Sequence, residues 1–226
     1  MKKGFVRRLK KRLALKLAIL VRSAEEEAAE LALPGFANSP QNLLIQQPAR
    51  LINARYISIG DDVSLGPGCM LNAIRRYPGS FLAGAPDDIQ PQEFEPSIRI
   101  GNRVSATGYL TIGAVSSVVI EDDVLLASHI FISDNRHGYS RTDIAYMYQP
   151  LEGIQPVIVG QGTWIGEHVV IMPGVKVGEY SIVGANSVVT KDVPARSMVV
   201  GSPARVIRKW SDEEANWIRV GDAVSS

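Results

Sequence analysis

A repeat of six residues between Val159 and Pro194 constrains the fold of this chain more than any other feature. The segment divides into consecutive hexapeptides: VGQGTW, IGEHVV, IMPGVK, VGEYSI, VGANSV and VTKDVP. Each begins with valine or isoleucine, and the fifth position is small or branched. Neither the 3.6-residue period of an α-helix nor the two-residue period of a plain strand fits this pattern. A six-residue period predicts an all-β fold, the parallel β-helix, in which three hexapeptides form one triangular coil of about 18 residues.

Less regular repeats extend the predicted β-helix domain over residues 36–209. Blocks such as ISIGDDVS, LGPGCM, IGNRVS, IGAVSS and IEDDVL continue the pattern upstream. Residues 75–97 and 133–156 lack the repeat, and we expect them to form two excursions from the coils. Long ordered loops in compact folds often carry function.

The two ends of the chain have different patterns. We expect residues 210–226 to form a short C-terminal helix and tail, because Ser211 and Glu214 have the spacing of a capping box. Residues 1–35 are expected to form a helical extension. Its first 22 residues carry nine basic side chains and no acidic one, and apolar residues recur every three or four positions from Phe5 to Leu20. A basic amphipathic helix can lie on an anionic membrane surface, or it can pack on its own subunit or on a neighbouring one, and these interpretations remain open.

Composition narrows the possible partners and compartment. The net charge of +1 gives no reason to expect nucleic acid as a partner. The single cysteine, Cys69, excludes an intramolecular disulfide and is expected to be a buried packing residue. The sequence contains no apolar run long enough for a transmembrane helix. We expect a cytoplasmic protein, with possible peripheral contact to the inner face of the membrane through residues 1–22.

Three histidines are candidates for acid–base chemistry. His129 and His168 lie in regular repeat blocks, and we expect them to be ordinary surface residues. His137 differs because it lies in the second excursion, within SDNRHG. Histidine has an ordinary pKa of about 6.5, so an imidazole in such a loop can act as a general base near neutral pH.

Several longer motifs resemble one known family. They are ASHIFISDNRHG, TWIG, PGVKVG, VGANSVVTKDVP and SPARVIR. Together they resemble the hexapeptide-repeat acetyltransferases, especially the sugar and polysaccharide O-acetyltransferases of the maltose and galactoside acetyltransferase type. The resemblance covers residues 57–209. It implies a left-handed β-helix, a homotrimer with active sites between subunits, acetyl-CoA as co-substrate and no metal.

The resemblance also implies roles for individual residues. His137 takes the position of the catalytic base, which would deprotonate an acceptor hydroxyl as it attacks the thioester directly. The coenzyme would lie along the C-terminal coils, against Trp164, Ala185, Thr190, Lys191, Arg205 and Arg208. The residues expected near the acceptor are Thr107, Asp134 and Asn135. The residue that orients His137 is left open among Asp134, Asp143 and Glu152.

Two departures from the family pattern concern the acceptor site. Thr107 stands where the galactoside type has asparagine, so we expect a differently built acceptor pocket. Polysaccharide-type members often have Asp-His-Asn-His-Gly where this chain has DNRHG, so His137 is the sole candidate base of that loop.

The predicted activity is acetyl transfer to a hydroxyl of a saccharide, such as a surface polysaccharide or its lipid-linked precursor. N-acetylation of a nucleotide-linked amino sugar is an alternative within the same chemistry. A non-catalytic assembly module and a γ-type carbonic anhydrase are alternatives of other classes. The zinc-binding histidines of that anhydrase stand closer together than His129 and His137, which are eight residues apart.

Overall fold

A computed structural model of the chain describes residues 10–17, 19–21, 33–78 and 90–220. Most of the predicted basic extension, the centre of the first excursion and the end of the predicted C-terminal tail lie outside the described residues. Residues 10–17 and 19–21 are helical, which confirms the N-terminal helix, called α1 below. Among the described residues, no helix has the length and apolar character needed to span a membrane.

The rest of the described chain consists mainly of short strands. In chain order they are β1 (Leu44–Ile45), β2 (Arg50–Ile52), β3 (Ile57–Ile59), β4 (Ser64–Leu65), β5 (Met70–Ala73), β6 (Arg76–Tyr77), β7 (Gln92–Glu93), β8 (Ser97–Ile100), β9 (Ser105–Ala114), β10 (Ser117–Ile120), β11 (Leu125–Ser133), β12 (Arg136–His137), β13 (Leu151–Glu152), β14 (Val157–Val159), β15 (Trp164–Ile165), β16 (Val170–Ile171), β17 (Lys176–Val177), β18 (Ile182–Val183), β19 (Val188–Val189), β20 (Ser197–Gly201), β21 (Ala204–Ser211) and β22 (Asn216–Arg219). Two 3₁₀ helices span Ala54–Tyr56 and Tyr146–Tyr148.

Parallel pairing arranges these strands into three faces, which confirms the predicted parallel β-helix. Face 1 contains β1, β4, β15, β18 and β20, and face 2 contains β2, β5, β16 and β19. The long strands β9 and β11 turn a corner and belong to both of these faces. Face 3 contains β3, β8, β10, β14 and β17.

Coil length changes along the chain. In the regular hexapeptide segment Trp164 pairs with Ile182, 18 residues later, as the repeat predicts. Upstream, Ser105 pairs with Leu125, 20 residues later. The upstream coils therefore hold two more residues per turn, which explains why the six-residue pattern is less regular there.

The first residue of each hexapeptide points into the core. These residues are at most 1% exposed: Val159, Ile165, Ile171, Val177, Val183 and Val189. Cys69 is buried as predicted, and its thiol donates a hydrogen bond to the Gly66 carbonyl at 3.0 Å. Burial raises the pKa of this thiol, so Cys69 has the character of a packing residue.

The predicted C-terminal helix is wrong. Residues 204–219 form an antiparallel hairpin of β21 and β22, which continues the sheet from β20. The Glu214 backbone N–H does donate to the Ser211 hydroxyl at 3.2 Å, as in a capping box. The chain then turns back instead of continuing as a helix, and Trp210 packs edge-on against Trp217. In β21 half-buried and exposed residues alternate over most of its length, which is the period of a strand.

We expect the Leu126→Ala substitution to lower the free energy of unfolding by about 2–5 kcal/mol, because Leu126 is fully buried between two coils. The matched control is Leu125→Ala, since Leu125 is 49% exposed and should change stability by about 1 kcal/mol or less. Denaturant unfolding at one protein concentration measures both. Equal destabilisation by the two variants would contradict the inward orientation of Leu126.

Candidate active site

The two excursions leave the β-helix at the same corner, between faces 2 and 3. Face 2 ends at Ala73 in β5, at its partner Ala114 in β9, and at Ser133 in β11, which pairs with Gly113. The first excursion follows Ala73 and the second follows Ser133. They start two coils apart, roughly 10 Å at normal strand spacing, so they can contact each other.

The second excursion presents His137 on a short antiparallel pair. Within it, β12 pairs with β13, and His137 lies opposite Leu151. The next residue, Gly138, donates its N–H to the Pro150 carbonyl at 2.8 Å. A Cβ atom at this position would lie 2.6 Å from that oxygen, so only glycine allows this close approach. The His137 side chain is exposed, whereas its two chain neighbours, Arg136 and Gly138, are paired with Glu152 and Pro150.

Asp134 anchors the start of the second excursion. Its carboxylate is buried and accepts the backbone N–H of Val115 at 3.0 Å and that of Ser116 at 2.7 Å. It also accepts the side-chain N–H of the half-buried Asn135 at 2.9 Å. These contacts tie the excursion to the preceding coil and occupy both carboxylate oxygens.

The other two carboxylates considered as partners of His137 are engaged or placed elsewhere. Arg141 donates to Asp143 at 2.9 Å, and this hydrogen bond lowers the pKa of the Asp143 carboxyl. Glu152 lies opposite Arg136 in the β12–β13 pair. Among the described residues, no hydrogen bond joins His137 to Asp134, Asp143 or Glu152.

The residue that contacts His137 instead comes from the first excursion. The Tyr77 hydroxyl lies 3.0 Å from His137 Nδ1, and the two rings meet edge to face. The same hydroxyl donates to the Met147 carbonyl. Sequence reasoning missed Tyr77, because its distance of 60 residues from His137 along the chain hides the contact.

The side chain of Gln92 joins the two excursions at a second point. It accepts the Leu151 N–H at 2.7 Å and donates to the Leu151 carbonyl at 3.1 Å. Leu151 lies opposite His137, and Gln92 lies opposite Tyr77 in the β6–β7 pair. Strand pairing and side-chain hydrogen bonds together therefore link Tyr77, Gln92, Leu151 and His137 in a closed ring of contacts.

The other two histidines lie at a different corner, between faces 1 and 2. Tyr109, His129 and His168 stack there in successive coils, with ring centroids 4.5 and 4.7 Å apart. All three have positive φ, as residues at a tight corner often do. Both histidines are exposed, as predicted. Among the described residues, no three His, Cys, Asp or Glu side chains converge to hold a metal ion.

Two of the residues expected at the coenzyme lie in one row of paired strands. Trp164 pairs with Ile182, Ile182 with Met198, and Met198 with Arg208. Side chains of directly paired residues lie on the same side of a sheet, so Trp164 and Arg208 share the outer surface of face 1. Three strand spacings separate them, or roughly 14 Å. Trp164 is 49% exposed, and Arg208 is half-buried.

The remaining coenzyme candidates are more scattered. Arg205 is exposed and pairs with Val200, close to the end of the β20–β21 hairpin. Ala185 is exposed at the corner after β18, where its backbone packs against Gly166. Thr190 and Lys191 are exposed at the next corner, after β19. Within one chain these residues border face 2 and do not join the row on face 1.

Comparisons with known proteins place the chain in a family. A family model described as bacterial transferase hexapeptide (six repeats) matches residues 156–191. The putative lipopolysaccharide biosynthesis O-acetyl transferase WbbJ of Escherichia coli K12 is 30% identical over 181 residues, which cover 77% of this chain and 82% of WbbJ. The chain belongs to the hexapeptide-repeat transferase family. It is an enzyme of the acetyltransferase type.

Other comparisons found a second sequence relative and two solved structures that are similar in fold. The galactoside O-acetyltransferase of E. coli K12 is 36% identical over 125 residues, which cover 54% of this chain and 58% of that enzyme. The structure of AntD, an N-acyltransferase from Bacillus cereus in complex with dTDP and 3-hydroxybutyryl-CoA, has a TM-score of 0.62 at 23% identity over 84% of this chain and 90% of AntD. A hexapeptide-repeat acetyltransferase from Vibrio cholerae, complexed with acetyl-CoA, has a TM-score of 0.54 at 23% identity and covers 84% of this chain and 79% of its own. At these identities the structural similarity is evidence for the fold alone.

The acceptor candidates of the transferase are separated in space. Thr107 is exposed and lies beside the corner that carries the Tyr109 stack. Asp134 and Asn135 lie at the other end of face 2, next to His137. Within one chain, Thr107 and His137 are therefore at opposite corners of this face.

We expect Asp134→Ala to lower the free energy of unfolding by about 1–3 kcal/mol, because the buried backbone N–H of Val115 and the part-buried N–H of Ser116 lose their acceptor. Asp134→Asn keeps one acceptor oxygen, so its free energy of unfolding should lie between those of the alanine variant and the wild type. The control is Asp143→Ala, which removes an exposed carboxylate from the same excursion and should change stability by about 0.5 kcal/mol or less. Denaturant unfolding measures the free energy of unfolding of all three variants. If Asp134→Ala is as stable as the wild type, the carboxylate does not anchor the loop.

Proposed function

We propose that this transferase moves the acetyl group of acetyl-CoA to a hydroxyl of a saccharide, with His137 as the general base. The observation that carries the proposal is the exposed imidazole of His137, whose backbone is fixed by the β12–β13 pair and whose Nδ1 is engaged by Tyr77. A base needs this combination of access and fixed orientation. Similarity to WbbJ, whose name is putative lipopolysaccharide biosynthesis O-acetyl transferase, supports the choice of acceptor class.

The transfer proceeds in one displacement without an acyl-enzyme. His137 takes the proton of the acceptor hydroxyl while its oxygen attacks the thioester carbonyl, and a C–O bond forms. Collapse of the tetrahedral intermediate breaks the C–S bond, and the imidazolium returns its proton to the departing thiolate of coenzyme A. Cys69 is unsuited to a covalent route, because it is buried and its pKa is raised.

The donor lies along the C-terminal coils in this proposal. Trp164 and Arg208 share one outer surface, and a ligand about 14 Å long can contact both. Guanidinium groups suit the phosphates of coenzyme A, since they can donate two parallel hydrogen bonds. We assign the remaining contacts to Ala185, Thr190, Lys191 and Arg205.

The acceptor lies between His137 and residues of a second subunit. Thr107 and His137 occupy opposite corners of face 2 in one chain, so a site that contains both takes them from two chains. A homotrimer with sites between subunits provides this arrangement. Asn135 adjoins the base, whereas Asp134 supports the loop because its oxygens already accept three N–H groups.

We expect His137→Ala to lower kcat/KM by roughly 10²- to 10⁴-fold, the range that a general base contributes. Release of free thiol from acetyl-CoA with pooled saccharide acceptors measures the rate. Asp62→Asn is the control, because Asp62 is exposed at the corner between faces 3 and 1, three coils from Trp164, and the substitution should leave the rate nearly unchanged. Full activity of His137→Ala would contradict the proposed role of His137 as the general base. The mass and alkali lability of the product separate an O-acetyl ester from the amide that a nucleotide-linked amino sugar would give.

The helix α1 gives this enzyme a means of reaching a lipid-linked acceptor. Leu13, Leu17 and Leu20 recur along one side of α1 and are 63–70% exposed, and basic residues such as Lys11 and Arg12 lie beside them. Apolar side chains with flanking cations bind an anionic lipid surface. We propose that α1 lies on the inner face of the membrane and holds the catalytic domain close to such an acceptor.

We expect the protein to sediment with vesicles that contain phosphatidylglycerol and to stay free with purely phosphatidylcholine vesicles. Replacing Leu13, Leu17 and Leu20 by glutamine should abolish sedimentation, because it removes the apolar contact with the acyl chains. Activity on a water-soluble acceptor should not change. If the triple variant still sediments, or if it instead alters the oligomeric mass, α1 serves another purpose, such as packing on a subunit.

A further inference from the structure

The hydroxyl of Tyr77 contacts two groups that make different demands on its single hydrogen. The Met147 carbonyl can only accept a hydrogen bond, so the Tyr77 hydroxyl must donate to it. That donation uses the one hydrogen of the phenol. Toward His137 Nδ1, at 3.0 Å, the Tyr77 oxygen can therefore only accept.

This requirement decides which nitrogen of His137 carries the hydrogen. Nδ1 must be protonated in order to donate to the Tyr77 oxygen. A neutral imidazole carries a single N–H, so Nε2 then has a free lone pair. Nε2 lies on the opposite edge of the ring from Tyr77.

We propose that Tyr77 is a positioning residue that holds His137 in the Nδ1–H tautomer and so makes Nε2 the atom that takes the proton of the acceptor. The inference rests on the proposed function, in which His137 is the base. It also gives the first excursion a role, because this excursion supplies the residue that sets the protonation of a side chain in the second.

The surroundings of Tyr77 favour this role. The side chain is half-buried, and burial raises the pKa of the Tyr77 phenol. The hydroxyl consequently stays protonated at neutral pH and keeps its hydrogen for Met147. The two hydrogen bonds between the Gln92 side chain and the Leu151 backbone, which we call the Gln92 clamp, hold the two excursions together. The Tyr77 hydroxyl and the His137 imidazole therefore keep their relative position.

The same hydrogen bond serves both halves of the reaction. When Nε2 takes the hydroxyl proton, the imidazolium still donates from Nδ1 to Tyr77. The proton on Nε2 is then available to the thiolate of coenzyme A. The ring need not rotate between accepting and returning the proton, and the His137 cation gains a hydrogen-bond partner.

The test is Tyr77→Phe in the full-length protein, which removes the hydroxyl and keeps the ring. We expect kcat to fall by about 10- to 100-fold, the range seen when the hydrogen-bond partner that orients a metal-bound histidine is removed. The KM for acetyl-CoA should not change. Tyr139→Phe is the matched control, because Tyr139 lies two residues from His137, is 64% exposed and packs on Arg136. It should keep wild-type kinetics.

A second measurement reads the tautomer directly and needs no acceptor. Two-bond ¹⁵N–¹H correlation spectra of the folded protein distinguish Nδ1–H from Nε2–H, and the His137→Gln spectrum assigns the signals. We expect Nδ1–H in the wild type and a mixture, or Nε2–H, in Tyr77→Phe. The inference is overturned if His137 of the wild-type protein carries its hydrogen on Nε2. It is also overturned if Tyr77→Phe changes neither kcat nor the tautomer. Retained activity in His137→Ala would instead remove the proposed base, whatever the tautomer is.

Discussion

The stacking of inward-pointing side chains from coil to coil is the interaction on which the rest of the structure depends. One column runs through Ile45, Leu65, Ala106, Leu126, Ile165, Val183 and Val199, and every member is at most 5% exposed. Because a single coil cannot bury its own interior, each coil depends on its neighbours. The register of this column also determines which residues point outward, and so which side chains can form a site.

The candidate active site arises where this regularity is interrupted. Both excursions leave at the corner between faces 2 and 3, two coils apart, so their first residues lie close together. Asp134 compensates for the interruption, since its carboxylate accepts backbone N–H groups of the preceding coil. His137 is thus attached to a rigid scaffold although it lies in a loop. The hydrogen bond between His137 and Tyr77 and the Gln92 clamp complete that attachment.

The wrong prediction of a C-terminal helix and the failure to predict the contact between Tyr77 and His137 have related causes. Ser211 and Glu214 form the local hydrogen bond that their spacing predicts, but the same bond is compatible with a hairpin turn. The alternating burial along β21 indicates a strand rather than a helix, and this alternation arises from the pairing of β21 with β20. For His137, the sequence offered three nearby carboxylates as partners, whereas the actual partner is 60 residues away. Local patterns thus predicted local contacts and missed distant ones.

The sequence by itself determined the β-helix, the inward residues of the regular coils, the burial of Cys69 and the choice of His137 as the candidate base. The first three follow from a repeating pattern, in which each residue faces the same environment as its counterpart one coil away. His137 lies outside the repeat, and the resemblance of its motif to a known family indicated its role. Only the tertiary structure decided that Tyr77 meets His137, that Asp134 is a buried anchor, and that Thr107 lies at the opposite corner. Such contacts depend on where each excursion leaves and how it folds back, and no repeat encodes that path.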